Sequence, residues 1–140
     1  MKFPYEKYPS IEGASVLYPT LNVGLINPKT KKTISAYKVL VDSGAAGCVF
    51  HGLIGEVIGL DVTSGEELPM SGVTKGNAKQ YLHPVIIEIG GNKIDLVVGF
   101  SYDLSFPFGL LGQLGFFEKF RICFDQPVGD FEITTKIQNK

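Results

Sequence analysis

Residues 38–50 read KVLVDSGAAGCVF, an apolar run followed by one aspartate, Asp42, and a series of small residues. The apolar residues before Asp42 are typical of a buried strand, which would bring the carboxylate to a strand end. Small residues follow at once, and Gly44 allows a tight turn and the close approach of another backbone or a ligand. In such a turn Asp42 either caps its own backbone or does chemistry.

The composition of the 140 residues favours β-structure. Hydrophobic residues make up 44% and charged residues 19%, with 17 glycines and 8 prolines, which suits a compact, turn-rich domain. We therefore expect one domain, residues 15–140. Residues 1–14 hold three aromatics and two prolines without periodicity. They are interpreted as an N-terminal arm without regular structure, lying on a surface.

Charge and hydropathy exclude several classes of function. The net charge of -1 and the pI of about 6.1 provide no field that would attract nucleic acid or anionic lipid. The apolar runs are short and broken by Gly or Pro, so we expect no membrane-spanning helix. Residues 1–10 carry prolines and charges where a signal peptide needs an apolar stretch, which predicts a cytoplasmic protein.

The first half of the chain reads as a hairpin followed by a helix. SVLYPTLNVGLIN and TISAYKVLVD are strand-like and flank the polar turn PKTKK, residues 28–32. HGLIGEVIGL, residues 51–60, has apolar residues at helical spacing, although its glycines weaken a helix. A short helix is expected there.

The second half reads mostly as strands. Residues 66–100 predict three strands joined by turns at TKGN, residues 74–77, and GGN, residues 90–92. Residues 109–125 read as an apolar strand, a brief aromatic helical turn and another strand. DFEI, residues 130–133, is expected to close the sheet.

Residues 38–50 resemble the signature of the retropepsin-like aspartic proteases. That family has an apolar strand, Asp-(Ser or Thr)-Gly-Ala, and then an apolar, β-branched strand, which Val49 and Phe50 supply here. Between its motifs the family places a flap hairpin with a glycine near the tip, where this chain has MSGVTKGNAKQY, residues 70–81.

A second motif of the same family lies later in the chain. Two large aliphatic residues and a glycine pack beside the catalytic loop, and Leu110, Leu111 and Gly112 match them. The resemblance covers residues 15–133 in the right order. It implies an all-β fold, a retropepsin-like acid-protease barrel with one or two short helices and a flap hairpin, and it implies an aspartic endopeptidase.

The chemistry of such enzymes needs two carboxylates. Two Asp side chains about 3 Å apart share one proton, because both cannot ionise without a large penalty. This chain has one Asp-(Ser or Thr)-Gly, at Asp42, which predicts a homodimer with one Asp42 from each subunit acting on a peptide or protein substrate. No cofactor and no metal is needed besides water.

The resemblance assigns roles to named residues. The catalytic set is Asp42, Ser43 and Gly44. The substrate-binding set is Ala45, Ala46, Gly72, Val73, Thr74 and Gly76. Leu110, Leu111 and Gly112 form the supporting element.

Three departures from the family pattern concern binding and support. Ala46 stands where retroviral members often have an acid that binds substrate backbone, so substrate binding is expected to differ. Cys48 replaces a usual Thr or Ser, and the later element is one residue longer at residues 113–115. None of these changes removes the catalytic acid.

Two alternatives to the enzyme stay open. A binding module could keep the fold and recognise an extended peptide or partner protein without cleaving it, and Ala46 favours this hypothesis. A structural dimer in which Asp42 only caps its turn is the third.

Other residues that could carry chemistry are better explained by packing. Cys48 and Cys123 are expected to be buried, reduced thiols. His51 and His83 lack the spacing of a metal site. Five phenylalanines, Phe106, Phe108, Phe116, Phe117 and Phe120, could line a groove, but most are expected in the core.

Overall fold

The computed structural model describes residues 1–70 and 77–135. These residues form the strands β1 Lys2–Pro4, β2 Glu6–Pro9, β3 Ser15–Tyr18, β4 Thr20–Ile26, β5 Thr33–Val41, β6 Val49–His51, β7 Glu66–Pro69, β8 Lys79–Ile89, β9 Asn92–Ser101, β10 Gly109–Leu111, β11 Phe120–Asp125 and β12 Asp130–Thr135. Helix α1 spans Gly52–Val57, and shorter helical turns lie at Val62–Ser64 and Gln113–Phe117. The prediction of an all-β fold with few short helices is confirmed. No helix in the described ranges has the length and apolar character to cross a bilayer.

Six strands close into a barrel. Their order is β4-β5-β10-β6-β9-β8, and the edge of β8 away from β9 pairs with β4 at residues 86–88 and with β7 at residues 79–82. The pairs β5–β10 and β6–β9 are parallel, and the other neighbours are antiparallel. Closing the sheet removes open strand edges and encloses the core.

The barrel core is built from the inward residues of its strands. The rings of Phe50 and Phe100 are fully buried and meet edge to face, with centroids 5.9 Å apart. Burying one such ring contributes roughly 1.5–3 kcal/mol. A second cluster comprises Leu40, Val49, Met70, Ala78, Leu104, Phe108 and Leu110.

Several turns and the helix form where the sequence predicts them. Residues 28–32 connect β4 and β5, and Gly90 and Gly91 form the two-residue turn between β8 and β9 with φ angles of 55° and 83°. Type I′ turns require positive φ at both positions, which glycine provides. Residues 74–76 of the predicted TKGN turn lie outside the described residues.

The N-terminal arm differs from the expectation. Residues 1–14 contain two strands: β1 pairs with β12, and β2 pairs with β3. Phe3 packs against Phe131 at a centroid distance of 5.6 Å, and Tyr8 packs against Phe108 at 5.3 Å. The prediction of no regular structure is wrong because the order of this segment comes from distant partners.

The C-terminal strands also differ from the expectation. DFEI lies in β12, as a strand, but β12 belongs to a separate three-stranded sheet with the order β1-β12-β11. It therefore does not close the barrel sheet. Phe131 and Ile133 of β12 are fully buried, so this second sheet packs onto the same core.

An ion pair joins the N-terminal hairpin to the barrel. The Nζ atom of Lys38 on β5 donates to Glu6 Oε2 on β2 at 2.6 Å, and both side chains are 34% exposed. The hydrogen bond from Lys38 holds the pKa of Glu6 below its ordinary value of 4.5. This stabilisation is present above pH 4.5 and is lost as the pH falls through the lowered pKa.

Glu6→Gln is therefore expected to reduce the free energy of unfolding at pH 7 by roughly 0.5 kcal/mol, since solvent screens a pair this exposed. Urea unfolding at pH 7 and pH 3 measures the difference, which should shrink at the lower pH. Glu12→Gln, at an exposed residue between the strands of the same hairpin, is the matched control. An equal loss for both variants at pH 7 would contradict the prediction.

Candidate active site

The parallel strands β5 and β10 bring the two sequence motifs together. Val41 of β5 lies opposite Leu111 of β10, so Asp42 and Gly112 leave adjacent strand ends. The backbone N–H of Asp42 donates to the Leu111 carbonyl oxygen at 3.0 Å and extends the pairing by one residue. The Asp loop and the aliphatic-Gly element are thus neighbours.

Hydrogen bonds within the turn hold the Asp42 carboxylate. Its Oδ1 accepts from the Gly44 N–H at 2.9 Å, and the Ala45 N–H donates to the Asp42 carbonyl oxygen at 3.2 Å. Asp42 is half-buried, whereas Ser43 and Gly44 are exposed. The carboxylate therefore has a fixed orientation beside an accessible loop.

Gly112 lies against the backbone of the Asp loop. A Cβ atom on Gly112 would sit 2.2 Å from the Gly47 carbonyl oxygen and 2.6 Å from the Ala45 carbonyl oxygen. Both distances are shorter than real Cβ contacts, so the site requires glycine. The φ of -113° is accessible to any residue, which means that space and not backbone angle sets this requirement.

The residues after Gly112 bind the same loop. The backbone N–H of Gln113 donates to the Ala45 carbonyl oxygen at 2.9 Å, and its side-chain Nε2 donates to the Ser43 carbonyl oxygen at 2.8 Å. The Leu114 N–H donates to the Ala46 carbonyl oxygen at 2.8 Å. The sequence identifies Gln113 only as part of residues 113–115, where the element after Gly112 is one residue longer than the family pattern. Its contact with Ser43 was therefore not predicted.

The predicted aromatic turn after Gly112 is irregular. Leu114 has extended backbone angles and Gly115 has a φ of 97°, so the turn over Gln113–Phe117 is not a regular helix. Leu114 and Gly115 belong to the element that is one residue longer than the family pattern. The irregular backbone lets the Leu114 carbonyl oxygen accept a hydrogen bond from the Cys48 thiol at 3.6 Å.

A pocket of about 390 Å³ opens over the carboxylate. Its lining comprises Asp42, Gly44, Ala45, Ala46, Gly47, Val49, Pro69, Met70, Gln80, Leu104 and Leu110. Asp42 is the one ionisable side chain among these described residues. Such a concave, partly apolar site with one oriented carboxylate suits a ligand that presents both side chains and polar backbone.

The structure brings some predicted residues to the pocket and leaves others elsewhere. Ala45, Ala46 and Leu110 line it, whereas Leu111 is fully buried in the core beneath. The predicted flap residues Gly72, Val73, Thr74 and Gly76 lie outside the described residues. Gln80 lies in the segment predicted as the flap hairpin but was not itself named as a site residue, and nothing near Leu104 in the sequence indicates a site.

The two cysteines differ in their exposure to solvent. Cys48 is 3% exposed, as expected, and this burial raises the pKa of its thiol. Cys123 is exposed on β11, so the expectation that it is buried is wrong. Its neighbour Phe124 is also 41% exposed, so the end of β11 lies at the surface although its local sequence is apolar.

The histidines and aromatic residues have structural contacts. His51 Nδ1 accepts from the Leu53 N–H at 3.1 Å and caps α1, and a ring nitrogen of His83 lies 2.7 Å from the Val62 carbonyl oxygen. Among the described residues, no group of three or more His, Cys, Asp or Glu side chains could hold a metal ion. Three of the five phenylalanines, Phe108, Phe116 and Phe120, are buried as expected.

A similar fold occurs in a solved structure. A retropepsin-like aspartic protease from Rickettsia conorii superposes with a TM-score of 0.60 over 94% of this chain and 95% of its own, at 14% sequence identity. The chain has the retropepsin-like fold. EIAV protease, in complex with the inhibitor HBY-793, is 22% identical and matches 68% of this chain and 81% of its own, with a TM-score of 0.47. The sequence matches no protein-family model and no curated protein.

The retropepsin-like fold confirms the family resemblance at the level of architecture. With identities below 25%, the likeness concerns the fold, and activity has to be argued from the site itself. In this retropepsin-like fold the Asp-Ser-Gly turn follows β5, the Leu-Leu-Gly element lies beside it at the end of β10, and the pocket lies above both.

Proposed function

We propose that the protein is an aspartic endopeptidase, active as a homodimer, that hydrolyses peptide bonds with a water activated by two Asp42 carboxylates, one from each subunit. The observation that carries the proposal is the oriented Asp42 carboxylate at the base of a pocket, in an Asp-Ser-Gly turn of a retropepsin-like fold.

The need for a second subunit follows from the chemistry. One carboxylate can accept a proton from water, but a second, protonated carboxyl group must donate to the scissile carbonyl oxygen. Among the described residues that line the pocket, Asp42 is the only acidic residue. The exposure of Ser43 and Gly44 supports a dimer in which the two loops meet across a two-fold axis.

Each residue of the proposed site has a separate role. One Asp42 is the base that removes a proton from water and later passes it to the leaving amine. The other donates its proton to the carbonyl oxygen and regains it when the tetrahedral intermediate collapses. Ser43 and Gly44 hold the two loops together. Ala45 and Ala46 contact the extended substrate, and the family resemblance assigns Gly72, Val73, Thr74 and Gly76, which lie outside the described residues, to substrate binding as well.

A non-catalytic binding module is the second candidate. Ala46 favours it, because an acid that could bind substrate backbone is missing there. The intact Asp-Ser-Gly-Ala turn argues for the enzyme. A binding protein has no evident need for two carboxylates at one dimer axis, where unpaired charges are costly.

Cleavage of an unbiased peptide library at several protein concentrations tests the proposal. Because each site needs two chains, the activity per chain should fall with dilution below the dissociation constant of the dimer, and sedimentation or light scattering locates that constant. Mass spectrometry reads the cut sites from mildly acidic to neutral pH. Full activity per chain from a protein shown to be monomeric would contradict the proposed homodimer. If the folded dimer cleaves no peptide at any pH, the binding module is favoured.

A further inference from the structure

One peptide unit of the Asp loop connects the side chain of Gln113 to the Asp42 carboxylate. The carbonyl oxygen of Ser43 and the N–H of Gly44 belong to the same peptide bond. The Nε2 atom of Gln113 donates to that carbonyl oxygen at 2.8 Å. At the other end of the peptide, the N–H donates to Asp42 Oδ1 at 2.9 Å. The Gln113 amide and the carboxylate are therefore joined by two consecutive hydrogen bonds.

The planarity of this peptide makes the two hydrogen bonds depend on each other. The C=O and N–H bonds of a trans peptide lie in one plane and point in opposite directions, so fixing the carbonyl oxygen also fixes the direction of the N–H. Consecutive hydrogen bonds also polarise one another, which makes the N–H a stronger donor when its carbonyl group accepts. Gln113 can thus orient the Asp42 carboxylate without touching it.

Most hydrogen bonds of the Asp loop do not depend on the identity of a side chain, but the one to Ser43 does. The carbonyl groups of Asp42, Ala45 and Ala46 accept from backbone N–H groups. Any residue except proline supplies such a donor. The Ser43 carbonyl oxygen accepts from a side chain, so its orientation depends on which residue occupies position 113.

The backbone of Gln113 holds its side chain in place for this contact. Its N–H donates to the Ala45 carbonyl oxygen at 2.9 Å, and its own carbonyl oxygen accepts from the Glu118 N–H at 3.3 Å. Because the backbone is already ordered, the bond to Ser43 costs only the rotamer freedom of one side chain. A neutral amide also donates without placing a formal charge beside Asp42.

We propose that Gln113 is a positioning residue, whose side-chain amide fixes the peptide between Ser43 and Gly44 and thereby orients the Asp42 carboxylate for proton transfer. The inference rests on the proposed function, because it gives this orientation a role in the reaction. Proton abstraction requires a carboxylate oxygen within hydrogen-bond reach of the water, so a small rotation of Asp42 slows the chemical step. Gln113 is not among the described residues that line the pocket, so substrate binding should change little.

Two substitutions of Gln113 test the side-chain donor. Gln113→Met keeps the length of the side chain and removes the donor, and it should lower kcat by about tenfold while KM changes by less than about twofold. Gln113→Glu keeps the shape and can donate only when its carboxyl group is protonated. The ratio of its kcat to that of the wild type should therefore rise as the pH falls through about 4.3, the ordinary pKa of Glu. The same ratio for Gln113→Met should not change with pH.

Gln126→Glu is the matched control for the change of charge. Gln126 is exposed in the turn between β11 and β12, which belong to the second sheet. Its ratio to the wild type should not change with pH when all proteins are compared at equal concentrations of dimer. An equal dependence on pH in both Glu variants would assign the effect to net charge and overturn the proposal.

Hydrogen exchange of the Gly44 amide, followed by NMR, tests the same hydrogen bonds without any turnover. In Gln113→Met this amide should exchange roughly fivefold faster than in the wild type, as expected when one hydrogen bond is lost. Faster exchange would support the orienting role of Gln113 even if the wild type cleaved no peptide and the peptidase proposal failed. Unchanged exchange of Gly44, or an unchanged kcat in Gln113→Met when the wild type does cleave, overturns the inference.

Discussion

Asp42→Asn is expected to lower the kcat/KM for peptide cleavage by at least roughly 100-fold, because the amide can neither remove a proton from water nor share one with the opposite subunit. The loss should fall on kcat, since Asn keeps the size and the hydrogen-bonding oxygen of Asp. Cleavage of the best library peptide by the wild type and by the variant, at equal concentrations of dimer, measures it.

The fold of this variant should be intact. The side-chain amide oxygen that Asp42→Asn introduces can still accept from the Gly44 N–H, which the Asp42 carboxylate binds at 2.9 Å. The free energy of unfolding should therefore change by less than roughly 0.5 kcal/mol. Asp61→Asn is the control, since Asp61 is exposed and its side chain makes no capping hydrogen bond. Unchanged cleavage in Asp42→Asn would show that Asp42 is a turn cap and would remove it from the mechanism.

Gly112→Ala is expected to reduce the free energy of unfolding by roughly 3 kcal/mol or more, at the upper end of the cost of overpacking. The new Cβ would meet two backbone carbonyl oxygens, of Gly47 and Ala45, at 2.2 and 2.6 Å, and neither can rotate away. Separation of the strands would also strain the hydrogen bond between Gln113 and Ala45. Urea unfolding monitored by circular dichroism gives the difference.

Gly47→Ala is the matched control on the same loop. A Cβ on Gly47 would meet nothing within 4 Å, and its φ lies outside the left-handed region. The substitution should leave stability unchanged or raise it by up to about 1 kcal/mol, through the reduced entropy of the unfolded chain. If the two variants were equally stable, the close packing of Gly112 against the loop would not be what holds the site.

The strands and turns were largely predictable from the sequence because their signals are local. Residues 28–32 connect two strands as expected, and Gly90 and Gly91 carry the positive φ angles that a two-residue hairpin needs. Helix α1 is also where the apolar spacing predicts it, although Leu53 and Val57 point outward and are more than half exposed. The spacing alone identified the helix but not its buried side.

The N-terminal strands were not predictable because their order depends on distant residues. The β1 strand has three residues and too little intrinsic preference to form alone, and it is ordered by pairing Phe3 with Phe131. Cys123 illustrates the same limit, since apolar neighbours such as Ile122 suggested burial. The position of β11 in its sheet leaves Cys123 in solvent.

The residues of the candidate site also fall into two groups, those that the sequence indicates and those that it does not. Asp42 and Gly112 could be singled out from the sequence, because small residues after an apolar strand are a local signal that matches a known family. Gln80, Leu104 and Gln113 could not be, because their side chains reach the Asp loop or its pocket only after the barrel has closed.

The sequence by itself therefore determined the β-rich character and the tight turn at Asp42, since backbone preference and hydrophobic alternation act over a few residues. Tertiary structure alone decided which strands are neighbours, what lines the pocket and which thiol is buried. Ser43 and Gln113 are 70 residues apart, and they meet because burial of the barrel core holds β5 and β10 side by side. Hydrophobic burial is non-directional, so only strand pairing and close packing specify which distant residues meet.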